Sequence, residues 1–191
     1  MIVKRKAIVR RKTREVDVTV LIDFDKSGEK INTGIPFFDH MLEGFARYSG
    51  IRLEIEAKGD LDVDEHHTIE DVAIAMGSAI KRALGDKRGI SRFGDAMVPM
   101  DDAIAICAID LSGRGYFNFE GKIENSGIKF ENFVHFFDTL SKNAGMNIYL
   151  SVKGFNAHHM MEASFKALGI AFGKAVRLMD REVRSLKGVL D

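Results

Sequence analysis

The segment Asp64-Glu65-His66-His67-Thr68-Ile69-Glu70-Asp71 recurs, altered, as His158-His159-Met160-Met161-Glu162. Both copies read His-His-x-x-Glu, and each opens a run with helical periodicity. Side chains four residues apart stack on one face of a helix, so His66 pairs with Glu70 and His158 with Glu162. His67 and His159 point roughly 100° away. One such helix can therefore feed two metal ions, an imidazole and a carboxylate to one and a single imidazole to the other.

The repeat extends beyond these motifs. With His40 placed on His135, an ungapped match runs to Gly59 on Gly154, pairing Gly50 with Gly145 and Lys58 with Lys153. After a shift of three residues, His66, His67, Glu70, Ala75, Gly77, Ala79 and Ala83 fall on His158, His159, Glu162, Ala167, Gly169, Ala171 and Ala175. All six histidines thus occupy three pairs of equivalent positions. A lone histidine is ordinarily a hydrogen-bonded packing residue. Six that obey one pseudo-twofold relation read as metal ligands. The chain is expected to be a single catalytic domain over residues 1–191, made of two repeats at about 1–94 and 95–191.

Composition narrows the function class. Lysine plus arginine and aspartate plus glutamate both number 28 in the 191 residues, so no overall field draws the chain to nucleic acid. The N-terminal strand region is basic, but aromatics are not interleaved with its charges, and it reads as a solvated face. No apolar run approaches the roughly 20 residues of a membrane span. Met1-Ile2-Val3-Lys4-Arg5-Lys6 lacks the apolar core of a signal peptide. The single Cys107 lies in an apolar run and reads as a small buried hydrophobe. These features lead us to expect a cytoplasmic protein.

Hydrophobic periodicity predicts two strands within residues 2–24, a polar connection from Asp25 to Thr33, and a helix opened by Pro36 and ending near Gly50. A strand over 51–57, an acidic loop, a helix from about His67 to Leu84 and a Gly-rich basic loop over 85–94 follow. The second half predicts strands at 103–111, 115–120 and 146–153, a helix at 130–143 and a long helix from 157 to about 180.

Six imidazoles and two carboxylates divide into two sites of three His and one Glu. Nitrogen-rich sites with a carboxylate suit Mn, Fe, Co, Ni or Zn rather than Ca or Mg. Four protein ligands on an octahedral ion leave two positions for a substrate. Helix geometry assigns His66 and Glu70 to one site and His158 and Glu162 to the other. His67 and His159 are expected to cross to the other half's site, with His40 and His135 completing the sets. Two alternatives stay open: both histidines of a pair on one ion, or ligands gathered across a subunit interface. Arg92, Arg114, Lys166, Ser185 and Lys187 form a second, cationic and donor group of the kind that holds phosphate. Taken singly, each is by default a solvated surface group. Glu15 and the pair Asp101-Asp102 are acidic candidates for proton transfer, although Glu15 is predicted to lie in a strand.

The chain resembles the imidazoleglycerol-phosphate dehydratases of histidine biosynthesis over almost its whole length. The resemblance rests on Phe37-Phe38-Asp39-His40-Met41-Leu42, Asp64 to Asp71, Gly85 to Gly94, Asp110-Leu111-Ser112-Gly113-Arg114, His135-Phe136-Phe137 and His158 to Ala167. It implies an α+β fold of two fused βα repeats like domain 2 of ribosomal protein S5, with sheets packed on a helical bundle. It further implies two Mn2+ ions per active site, a 24-subunit assembly with sites between subunits, and conversion of imidazole glycerol phosphate to imidazole acetol phosphate and water.

Carried over by motif, the metal ligands are His40, His66, His67, Glu70, His135, His158, His159 and Glu162. His67, His158 and Glu162 also serve catalysis, and His40 and His66 contact substrate. Arg92, Arg114, Lys166, Ser185 and Lys187 hold the phosphate, and Glu15 is the acid/base beside the substrate hydroxyls. The hydrogen removed is not next to a carbonyl. A ring bound between two metals favours its imidazolate form, which expels the neighbouring hydroxyl. The chain departs from the family pattern at Glu43-Gly44, where Asp-Gln is usual, at Tyr48-Ser49-Gly50, and at Met100-Asp101-Asp102 in place of Met-Asp-Glu. Two other classes compete: a non-catalytic metal-storage oligomer, and an RNA-binding module whose affinity would fall with salt and ignore chelators.

Overall fold

The computed structural model describes residues 5–179 together with Arg184 and Ser185. Strands β1 (Lys6–Lys12), β2 (Val16–Asp23) and β3 (Gly28–Asn32) lead into helix α1 (Pro36–Ser49), strand β4 (Arg52–Gly59) and helix α2 (His66–Leu84). The same order follows in β5 (Phe93–Met100), β6 (Ala103–Asp110), β7 (Tyr116–Glu120), α3 (Phe130–Ala144), β8 (Asn147–Lys153) and α4 (Ala157–Ala175). The two sheets have equivalent orders, β1-β2-β4-β3 and β5-β6-β8-β7. In each, the third strand pairs in parallel with the fourth across the helix that joins them, and the other pairings are antiparallel. This is the expected α+β architecture of two repeats.

Alternation sets which sheet face meets the helices. Val16, Val18, Val20 and Ile22 of β2 are buried, as are Leu53, Ile55 and Ala57 of β4. Ala103, Ala105, Cys107 and Ile109 of β6 and Ile148, Leu150 and Val152 of β8 repeat the pattern. Helix α2 packs on β1 and β2, α1 on β3, α4 on β5 and β6, and α3 on β7 and β8, while α1 packs on α4 and α2 on α3. Four helices therefore lie between two sheets. Burial holds the Cys107 thiol well above its ordinary range, so it stays protonated and inert.

An aromatic cluster joins the repeats. Phe38 of α1, Phe133, Phe136 and Phe137 of α3, and Phe165 of α4 are at most 1% exposed. The Phe165 ring centroid lies 5.4 Å from Phe136, 5.2 Å from Phe137, 6.1 Å from Phe133 and 6.4 Å from Phe38.

Two equivalent glycines set how closely the helices pair. A Cβ on Gly169 would stand 2.7 Å from the Phe45 carbonyl oxygen, and one on Gly77 2.6 Å from the Asn143 Cβ. Only glycine lets the α1–α4 and α2–α3 backbones approach this far.

Three expectations are corrected. Asp25 to Thr33 is not all connection, because β3 lies within it, and residues 93–100 form β5 where no strand was expected. Both are edge strands. Strand β3 has a single large apolar residue, Ile31, and β5 contains Pro99, which an edge tolerates because one side of its backbone needs no partner. The last helix stops at Ala175 rather than about residue 180. There the loop after α2 takes the backbone groups: Arg92 N–H bonds to Ala175 O at 2.9 Å, Ser91 N–H to Arg177 O at 2.8 Å, and Met179 N–H to Gly89 O at 2.8 Å.

Candidate metal centres

Both His-His-x-x-Glu segments start helices whose first turns are capped by polar side chains. The Asn156 side chain accepts from the backbone N–H groups of His158 (2.9 Å) and His159 (3.3 Å). The Asp64 carboxylate accepts from His66 N–H at 2.8 Å. Such caps satisfy donors that a helix start leaves open, and here they also fix where the imidazoles begin.

The paired helices then bring ligands together across the repeats. His66 and Glu70 of α2 meet His135 of α3; His158 and Glu162 of α4 meet His40 of α1. Within each group one ligand atom per residue lies within 4.8 Å of the others. His135 Nε2 is 3.1 Å from Glu70 Oε1, and the His66 and His135 rings are 4.8 Å apart. His158 Nε2 is 3.1 Å from Glu162 Oε2, and His40 Nε2 is 3.7 Å from Glu162 Oε1. The α2–α3 and α1–α4 groups are two versions of one design, each drawing on both repeats. Two imidazoles and a carboxylate at this spacing fit a first-row transition ion with positions left open.

Neither His67 nor His159 joins these groups within the chain. His67 Nδ1 faces Asp60 instead, at 3.1 Å, with Glu15 Oε1 3.9 Å from its Nε2. His159 Nδ1 faces Asp102 at 2.6 Å, with Asp101 Oδ2 3.6 Å from its Nε2. The Asp60 hydrogen bond raises the His67 pKa above its ordinary value, outweighing partial desolvation. Asp102 is held well below the usual carboxylate range by the Asn156 N–H, His159 and the Phe155 N–H. Glu162, whose side chain is 12% exposed, is also lowered: desolvation opposes ionisation, but Lys166, His40 and His158 outweigh it.

Glu15 sits in the turn between β1 and β2 rather than in a strand. Thr13 Oγ1 accepts from Glu15 N–H (3.2 Å) and Val16 N–H (2.9 Å), and it reaches Asp71 of α2 at 3.4 Å. Arg11 Nε donates to the same Asp71 at 2.8 Å, so the turn is pinned beside the first turns of α2.

The cationic candidates separate. Lys166 Nζ lies 2.8 Å from Glu162 Oε1 and over the Tyr48 ring, at the α4 metal group. Arg92 has φ 71°, a conformation rare for residues other than glycine, and its guanidinium clasps Asp110 at 2.7 and 3.0 Å. It also donates to Arg184 O at 2.8 Å, next to Ser185. Arg92 N–H bonds Ala175, thirteen residues beyond Glu162 on α4, which is about 20 Å along the axis. Exposed Arg114 follows β6 near this same end, since Leu111 N–H bonds Arg92 O at 3.0 Å. Lys187 lies outside the described residues.

A family model described as imidazoleglycerol-phosphate dehydratase matches residues 33–172, which hold all eight proposed ligands. The chain belongs to the imidazoleglycerol-phosphate dehydratase family. An imidazoleglycerol-phosphate dehydratase of Archaeoglobus fulgidus is 53% identical over 95% of this chain and 97% of the relative. That of Methanothermobacter thermautotrophicus is 49% identical over all of both chains. Among solved structures, the Staphylococcus aureus dehydratase aligns with TM-score 0.82 and 32% identity over 91% of this chain and 99% of that one. The Pyrococcus furiosus dehydratase in complex with (S)-C348 aligns with TM-score 0.84 and 36% identity over 95% and 100%.

Some residues around these dehydratase-family motifs escaped the sequence. Asn132 Oδ1 accepts from His66 Nδ1–H at 2.9 Å, and Asn132 Nδ2 donates to Glu65 Oε1 at 2.9 Å. Its one available signal was its place one turn before His135. Asp60 was read only as part of an acidic loop. Gly44, a departure from the family pattern, lies one turn after His40, and a Cβ there would meet nothing within 4 Å.

Proposed function

We propose that the chain is a metal-dependent dehydratase of histidine biosynthesis, converting imidazole glycerol phosphate to imidazole acetol phosphate and water. The observation that carries this reading is the pair of equivalent two-imidazole, one-carboxylate groups in a chain of this family. His40, His158 and Glu162 would hold one Mn2+ ion, and His66, Glu70 and His135 the other. Bound there, the ions supply Lewis-acid stabilisation of negative charge on the substrate's imidazole ring.

The remaining steps belong to protein side chains. Glu15 acts as acid/base, moving a proton at the carbon and hydroxyl positions next to the ring. Its place in a pinned turn, 3.9 Å from His67 Nε2, supports that role. Arg92, Arg114, Lys166, Ser185 and Lys187 hold the phosphate and so fix the carbon chain for elimination. Three bonds of the Arg92 guanidinium go to Asp110 and Arg184, leaving, among the described residues, two N–H groups of its five for phosphate.

The separation of Arg92 from Glu162 by about 20 Å of helix exceeds what a phosphorylated three-carbon chain spans. It supports sites completed by a second copy, within a 24-subunit assembly. In that arrangement His67 and His159 reach a neighbouring copy's ions. The whole chain, residues 1–191, then acts as one catalytic domain of two repeats, since each ligand group draws on both. No helix among the described residues is long and apolar enough to cross a membrane. The biosynthetic reading places the enzyme in the cytoplasm, and nucleic acid has no part in it.

The test is turnover of imidazole glycerol phosphate by protein stripped with a chelator and then resupplied with Mn2+. Loss and recovery of activity together are expected. Inert, fully Mn-loaded protein would overturn the reading in favour of metal storage. Arg92→Ala is expected to raise KM at least about tenfold, a charge-assisted contact's 1.5–3 kcal/mol, with metal content unchanged by elemental analysis. An unaltered KM would remove Arg92 from the phosphate site.

A further inference from the structure

We propose that Asp60 and Asp102 are positioning residues that hold His67 and His159 with Nδ1 protonated and Nε2 presented outward as a metal ligand. This rests on the reading above, in which both histidines are ligands, and it explains how two imidazoles outside the ligand groups are prepared for that task.

An ionised carboxylate only accepts hydrogen bonds, so an imidazole nitrogen facing one carries the proton. His67 Nδ1 faces Asp60 at 3.1 and 3.3 Å, and His159 Nδ1 faces Asp102 at 2.6 Å. In the neutral ring the lone pair then sits on Nε2. Among the described residues neither Nε2 has a hydrogen-bond partner: carboxylate oxygens of Glu15 and Asp101 stand 3.9 and 3.6 Å away, beyond hydrogen-bond range. The four group histidines differ, because the carboxylates they face are fellow members of their own ligand groups. His40, His135 and His158 turn Nε2 to a glutamate, and His66 has its Nδ1 occupied by Asn132.

The two carboxylates do not occupy equivalent places. Asp60 precedes α2 by a short loop, whereas Asp102 lies in the turn between β5 and β6. The loop before α4 that answers to the one holding Asp60, Gly154-Phe155-Asn156, is three residues shorter and has no carboxylate. A contact merely inherited through duplication would use matching positions. Here the same carboxylate–imidazole geometry is built twice from different segments, which identifies the geometry itself as the requirement. Asp102 has a second task, since its Oδ2 accepts from the Phe155 N–H (2.7 Å) and Asn156 N–H (2.8 Å) that lead into α4. Asp60 is therefore the cleaner probe.

The experiment titrates the metal-stripped full-length protein with Mn2+, following free Mn2+ by its electron paramagnetic resonance signal. Asp60→Asn is expected to weaken the affinity of a subset of the bound ions by about 10- to 100-fold, the usual effect of removing a partner behind a metal-bound imidazole. The thermal midpoint of the metal-free variant should stay at the wild-type value, and His67→Ala should affect the same subset more strongly. Asp60→Glu, which keeps a carboxylate, should recover most of the affinity. Wild-type affinity in Asp60→Asn would overturn the proposal. So would a failure of Asp60→Glu to rescue, because that would assign Asp60 a packing role. If wild-type protein itself takes up no Mn2+, the metal-enzyme reading fails instead.

Discussion

Glu162→Ala is expected to abolish turnover and to release the ion of the α1–α4 group. This glutamate is the one carboxylate of that group, and it contacts both His158 Nε2 (3.1 Å) and His40 Nε2 (3.7 Å). Losing a residue that merely supports a ligand costs 10- to 100-fold in metal affinity; losing the anionic ligand should exceed about 100-fold. Removal also leaves Lys166 without its partner at 2.8 Å, so two imidazoles and an ammonium face each other with no anion between them. Elemental analysis after desalting, beside turnover with added Mn2+, measures both effects. Full activity with a full complement of metal would sink the two-ion scheme. The other group should keep its ion, because His66, Glu70 and His135 share no ligand with it.

Phe165→Ala is expected to be the most destabilising single change in the core, by about 3–5 kcal/mol. The side chain is 1% exposed and touches four other phenylalanine rings drawn from α1 and α3. The Phe38 contact crosses to the other repeat and the rest tie α4 to α3, so a cavity here loosens the seam on which both ligand groups depend. Urea unfolding of the metal-free protein reads the effect as a lowered midpoint at unchanged slope. A shift equivalent to less than about 1 kcal/mol would show that the neighbouring rings collapse into the space. Because Phe165 lies three residues after Glu162 on α4, weaker Mn2+ binding should accompany the loss of stability.

What could be read directly from the sequence followed from local geometry. The spacing of His66 with Glu70 and of His158 with Glu162 determines that each pair shares a helix face, whatever surrounds the helix. The alternation of Val16, Val18, Val20 and Ile22 determines which face of β2 is buried. The repeat, visible in residue identities, determined that the architecture would occur twice, and the motifs it carries pointed to the family.

The tertiary structure decided what local geometry cannot. His135 is 65 residues from Glu70, and Glu162 is 122 residues beyond His40, so only the pairing of α2 with α3 and of α1 with α4 assigns them to one another. The edge strands β3 and β5 carry little periodic signal, because β3 has one large apolar residue and β5 buries only Gly94 and Ala96 against α4 while Phe93 and Met97 stay exposed. The halt of α4 at Ala175 likewise depends on a loop nearly ninety residues earlier that claims its last backbone groups. Most tellingly, His67 and His159 look in sequence like the other histidines. Only the fold shows them turned from both groups with a carboxylate behind each. A side chain's direction along a helix is a property of the helix. Its partner is a property of whatever the rest of the chain brings alongside.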